Sequence, residues 1–149
     1  MRIDCEPRLR LLRLAVLLKR YVEEQGAAQA ATLLGRHQVL TSALAALEIK
    51  SAISRRTAAG ELTAAHARGI LARVAMDRTH WELVAVVPEV LSRAEEMVMN
   101  TRLRSADAVH VASAAHVLAT SRLRFPFVTA DLHQRHAAEA LLPSVIWVG

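Results

Sequence analysis

With a single cysteine, Cys5, the chain has no internal disulfide framework and no cysteine-based zinc site. That usage fits a reducing compartment. Four prolines and five glycines in 149 residues leave no Pro/Gly-rich linker, so nothing marks a domain boundary. Internal repeats and low-complexity tracts are also missing. Aromatic residues make up 3% of the chain, so aliphatic side chains must fill the core. The apolar run "LLRLAVLL" (11–18) is too short to span a bilayer and is interrupted by Arg13. "KRYVEEQ" follows it without a small-residue cleavage site, so the expectation is a cytoplasmic protein with neither signal peptide nor membrane span. No Gly-x-Ser-x-Gly and no Gly-rich phosphate loop occur, which removes the signatures of a hydrolase nucleophile elbow and of a P-loop.

Lysine is scarce as well. Lys19 and Lys50 are the only ones, so nearly all of the net charge of +5 comes from arginine. Guanidinium forks match phosphate geometry, and a polyanionic partner such as nucleic acid follows as one reading. The plainer reading is that an arginine-rich genome writes Arg wherever a cation is needed.

What is present is a globular composition, 53% hydrophobic and 22% charged. A chain of this length suits a single domain, residues 1–149, that hides roughly 70% of its unfolded surface. Residues 1–13 stand apart as an atypical leader: with arginines at 2, 8, 10 and 13, Met1 to Leu14 reads poorly as a strand. Beyond it, "LAVLLKRYVEEQ" reads as a helix and "AAQAATLL" as a second, ended by Gly35. "HQVLT" (37–41) reads as a strand. Residues 42–56 read as a helix capped by Thr41 or Ser42, and a turn at Gly60 leads to a helix capped by Thr63. "WELVAVV" (81–87) is strand-like by its valines, and Pro88 suits the first turn of the next helix. Ser105 is the expected cap of "RSADAVHVASAAHVLA". "FPFVTA" (125–130) and "SVIWV" (144–148) read as strands around the helix "DLHQRHAAEALL". Strands separated by helices imply an α/β fold, with a short parallel sheet of four or five strands and helices on both faces. In such sheets, ligands bind beyond the carboxyl ends of the strands.

Three carboxylates stand out at such places. Asp131 directly follows "FVTA"; as an ordinary structural residue it would cap the next helix. Asp107 falls in the first turn of its helix, where the macrodipole stabilises a carboxylate by up to about 1 kcal/mol. Glu48 has Leu44, Ala45 and Ala52 as helical neighbours, and a charge in that sector needs water or a partner, for which Arg55 is available. Two carboxylates about 6 Å apart repel by roughly 3 kcal/mol at an effective dielectric of 20, so three of them gather only around a cation. An all-oxygen set selects Mg²⁺ or Mn²⁺. Among other histidine readings, His110 is available to orient Asp107 as a base, and His133 and His136 read as solvated surface. Glu23, Glu24, Glu95 and Glu96 lie in polar runs and read as solvated faces.

The segments "LLKRYVEEQG", "TSALAALEIKSAISRRTAAGELT", "WELVAVVPEVLSRAEEM", "RSADAVHVASAA" and "FVTADLHQRHAA" resemble, in order, those of PIN-domain proteins, above all the VapC-type toxins of toxin–antitoxin pairs. The resemblance covers about Leu14 to Val148. It implies a three-layer α/β/α fold and a Mg²⁺-dependent endoribonuclease whose ion is held by Glu48, Asp107 and Asp131, with His110 in the same Asp-Ala-x-His segment as Asp107. It further implies an antitoxin partner and a homodimer; for a nuclease of this kind, rim arginines such as Arg55, Arg56 or Arg104 are the candidates to hold the RNA backbone. One element departs from the pattern: the family's first acid, in an Asp-x-Ser after the opening strand, falls at Arg13. Asp4 is a candidate substitute nine residues earlier. A frameshift or misplaced start would also account for the departure, and Arg13 in that place puts activity in doubt.

Overall fold

The computed structural model describes residues 10–12, 14–22, 27–36 and 38–148. Cys5, Asp4 and Arg13, and with them the question of a replacement first acid, lie outside the described residues. Strand β1 (Arg10–Leu12) pairs in parallel with β2 (Val39–Ser42) on one side and β4 (Phe127–Thr129) on the other. The sheet continues outward from β2 to β3 (Glu82–Val84) and from β4 to β5 (Val145–Trp147), giving the spatial order β3-β2-β1-β4-β5. Every pairing is parallel, as helices between successive strands require.

The position of β1 corrects the sequence reading, in which this stretch made a poor strand. Three residues carry no usable periodicity; the pairing of their backbone with two neighbours makes them a strand.

Among the described residues, seven helices fill the intervals: α1 (Leu14–Lys19), α2 (Ala27–Arg36), α3 (Ala45–Ala58), α4 (Ala64–Arg78), α5 (Pro88–Asn100), α6 (Ser105–Thr120) and α7 (Leu132–Glu139). Alternating strand residues sort them onto two faces. Val39 and Val128 pack with Val16, Leu17, Ile49 and Ile53 from α1 and α3. Their neighbours Leu40 and Phe127 pack with Val90, Met97, Val111 and Ala138 from α5, α6 and α7. Small residues let α6 approach closely: Ala108, Ala112 and Ala114 have no solvent exposure.

Local signals set several boundaries. Thr63 Oγ1 accepts from His66 N at 3.1 Å and caps α4, and Pro88 occupies the first turn of α5. Gly60 adopts φ 76°, a left-handed turn that favours glycine. Three expected boundaries differ. Gly35 lies inside α2, which runs to Arg36. Helix α3 starts at Ala45, and Ser42 Oγ accepts from Leu44 N at 3.3 Å, with no side-chain cap on the helix itself. In α6 the cap position belongs to Arg104, without a side-chain bond, and Ser105 is already helical. Among the described residues, no helix is long and apolar enough to cross a membrane.

Candidate functional site

Parallel strands ending on one side of the sheet bring three helix starts together. Glu48 lies in the first turn of α3, after β2; Asp107 lies in the first turn of α6; Asp131 stands between β4 and α7. All three line one cavity of about 550 Å³, whose wall also includes Ser51, Arg55, Arg102, Leu103, Arg104, Ala106 and His133. Residues 83 positions apart in sequence thus share one solvent space at the carboxyl edge, because the chain returns to that edge after each crossover.

Two buried polar side chains tie these helix starts to one another. His110, without solvent exposure, meets Glu48 Oε2 through Nε2 at 2.5 Å and so joins α6 to α3. A carboxylate accepts, so the imidazole Nε2–H donates. Gln134, equally buried, accepts from Thr129 Oγ1 at 2.7 Å and donates from Nε2 to the Asp107 carbonyl at 3.0 Å. Its backbone N–H donates to Asp131 Oδ1 at 2.9 Å, the N-cap bond of α7. One glutamine therefore fixes the end of β4, the start of α7 and the start of α6.

These contacts correct parts of the sequence reading. Arg55 is not the partner of Glu48; its Nη1 donates to Ser51 Oγ at 2.6 Å, one turn along α3. His110 orients Glu48, from another helix, and not Asp107 on its own. Asp131 does cap its helix, and it lines the cavity as well. Of the anticipated arginines, Arg55 and Arg104 reach the cavity wall, whereas Arg56 faces Glu61 at 3.9 Å. Arg102 was not anticipated. Buried Leu103 plugs the loop beside it, and Thr101 Oγ1 accepts from Leu103 N at 3.2 Å. Gln134 was not anticipated either, although Asp131-Leu132-His133-Gln134 carries the capping-box spacing. His133 lines the cavity from an exposed position.

The donor set suits a hard cation: three carboxylates and water-accessible space, without a sulfur ligand among the lining residues. Among the described residues, no three His, Cys, Asp or Glu side chains are gathered closely enough to grip a bare ion as they stand. Three arginines on the same wall supply the opposite charge at its rim.

No protein-family model matches the chain, and no curated protein matches it in sequence. Its three-dimensional likeness is clear. A chain of a toxin–antitoxin complex from Klebsiella pneumoniae superposes with TM-score 0.61 at 16% identity, covering 92% of this chain and 95% of that one. For VapBC2 from Rickettsia felis, solved with a DNA fragment from their promoter, the TM-score is 0.64 at 8% identity, with 95% and 99% covered. For FitAcB from Neisseria gonorrhoeae it is 0.63 at 13% identity, with 93% and 96% covered. At such identities the likeness establishes architecture: over nearly its whole length, this chain has the α/β fold of a component of those assemblies.

Proposed function

We propose that the protein is a Mg²⁺-dependent endoribonuclease of the VapC toxin type with a PIN-like fold. The observation that supports this reading is that Glu48, Asp107 and Asp131, from three separate helix starts, line one cavity at the carboxyl edge of a parallel sheet. These three residues would hold Mg²⁺ or Mn²⁺. The ion, when bound, supplies an activated water and neutralises charge developing at a phosphodiester. Arg55, Arg102 and Arg104 bind the phosphate backbone from the wall, where guanidinium forks pair with phosphate oxygens. The likeness to chains of toxin–antitoxin assemblies supports an antitoxin partner. A homodimer belongs to the same reading.

A second reading is a degenerate PIN domain that binds RNA or a partner protein without cleaving. Its support is specific: three arginines share the wall with the three carboxylates, so their charge is balanced without an ion.

Melting the full chain with and without Mg²⁺ or Mn²⁺, beside a single-stranded RNA cleavage assay, separates the two. An ion at a hundred times its Kd adds about 2.7 kcal/mol, a rise of about 5–10 °C for a domain of this size. Asp107→Asn removes the rise and lowers cleavage at least about a hundredfold, the upper range for loss of mere outer-shell support. An ion-induced rise with intact RNA favours the degenerate reading. No rise in the parent, or full activity in Asp107→Asn, refutes the metal site.

A further inference from the structure

The buried histidine beside Glu48 does more than the nuclease reading asks of it. We propose that His110 is a positioning residue that commits one oxygen of Glu48, leaving the other for the ion, and thereby sets a preference for Mg²⁺ or Mn²⁺ over Ca²⁺. This rests on the nuclease reading above.

The geometry supports it in three ways. First, the contact is specific and enclosed: His110 Nε2 lies 2.5 Å from Glu48 Oε2, the imidazole has no exposure, and the Glu48 side chain keeps 20%. Glu48 thus has one side turned into the protein while it lines the cavity. Secondly, the ring is locked. It sits on α6 with no solvent exposure, and swinging it away would leave a buried N–H without an acceptor. Thirdly, the other ring nitrogen, Nδ1, is buried and has no hydrogen-bond partner among the described residues. With the proton on Nε2, Nδ1 carries only a lone pair. The opposite tautomer would orphan an N–H and set two acceptors against each other.

A carboxylate held in this way has part of the capacity of Oε2 taken by the N–H and its plane fixed, which disfavours chelation through both oxygens. Ca²⁺ accepts bidentate carboxylates in flexible shells of six to eight oxygens, whereas Mg²⁺ demands a near-octahedral set and keeps several waters. Disfavouring bidentate use of Glu48 therefore costs Ca²⁺ more than Mg²⁺. A purely structural role, tying α3 to α6, predicts a loss of stability but no change in ion preference.

The test is calorimetric titration of the full chain with Mn²⁺ and with Ca²⁺, alongside melting in chelator. Glutamine places its amide nitrogen near the position of Nε2, while asparagine falls short of it. His110→Gln should keep the parental ratio of Mn²⁺ to Ca²⁺ affinity. His110→Asn and His110→Leu should lose Mn²⁺ affinity by about tenfold or more, the range for outer-shell partners, and the ratio should fall with it. In a Glu48→Gln background, His110→Asn should leave the ratio unchanged. If Asn and Gln variants show the same ratio, or if the asparagine effect survives in Glu48→Gln, the positioning role is overturned while the metal site stands. If His110→Leu does not fold, the Gln and Asn pair decides alone. Failure of the parent to bind either ion sinks the nuclease reading itself, and this inference with it.

Discussion

The two ends of the sheet each carry a cavity with carboxylates in its wall, and the two are built on different terms. At the amino ends of β2 and β3, a cavity of about 760 Å³ is lined by Arg20, Tyr21, Gln38, Asp77, Trp81 and Glu82, among others. There Asp77 Oδ2 accepts from Arg20 Nε at 2.9 Å and from Tyr21 Oη at 2.6 Å, and the Arg73 guanidinium lies 5.7 Å from the centre of the Tyr21 ring. Burial, and then the hydrogen bond to Asp77, raises the Tyr21 phenol well above the usual tyrosine range. At the carboxyl edge the cavity is smaller, about 550 Å³, and Glu48 is held by an imidazole instead of a guanidinium. The larger space is thus the less promising one. A carboxylate closed into an ion pair and a phenol bond has spent its charge on the fold. One oriented by a histidine keeps charge for a ligand.

Substitutions at three positions would break or sharpen this contrast. The largest effect is expected for Gln134→Leu. It leaves the buried Thr129 hydroxyl without its acceptor and removes the side-chain bond to the Asp107 carbonyl, so about 1–3 kcal/mol of stability should be lost in denaturant titrations. The ion-induced rise in melting temperature should shrink with it, since the start of α6 at Asp107 loses its tie to α7, while the backbone N–H of residue 134 still caps Asp131. Unchanged stability would show that the glutamine network is not what holds this edge together.

Asp131 offers a cleaner separation of capping from ion binding. Asp131→Ala should cost about 1 kcal/mol of stability without metal, whereas Asp131→Asn keeps a capping oxygen and should stay near the parent. Both should lose most of the ion-induced rise. If the asparagine variant retains it, Asp131 is a cap and nothing more.

The smallest effect belongs to the other cavity. Tyr21→Phe removes one bond to Asp77 and should cost about 1 kcal/mol at neutral pH, with RNA cleavage unchanged. Its pH dependence follows from the raised phenol. Below about pH 10, the ordinary tyrosine value, folded and unfolded chains both hold the proton and the contribution is complete. Above it, the unfolded chain releases a proton that the folded one keeps, so stability falls with rising pH. The parent should therefore lose stability more steeply above about pH 10 than Tyr21→Phe does. Parallel pH profiles would remove Tyr21 from the account.

Much of the fold was legible because its signals are local. Short apolar runs located β2 to β5, and the caps at Thr63 and Asp131 and the turn at Gly60 depend on a few adjacent residues. β1 was not legible, since its three residues gain their identity from partners at positions 39–40 and 127–128. Gly35 misled because an exposed glycine inside a helix costs only about 1 kcal/mol, which the surrounding alanine-rich turns offset. Glu48, Asp107 and Asp131 stood out as acids in apolar or strand-end settings, and the cavity does collect them. Arg55 looked like the partner of Glu48 because helical spacing allows it, and that spacing carries no information about α6.

The amino-acid order by itself determined the parallel α/β class, most helix and strand positions, and the occurrence of three acids at a strand end or near helix starts. Periodicity and capping act over a few residues, so the chain carries them wherever it goes. Only the tertiary structure decided that His110 reaches Glu48, that Gln134 clamps β4, α7 and α6 together, and that Arg102 joins the cavity wall. Those pairings join residues far apart in sequence, and they become visible only when the sheet has set the distance and direction between the helices.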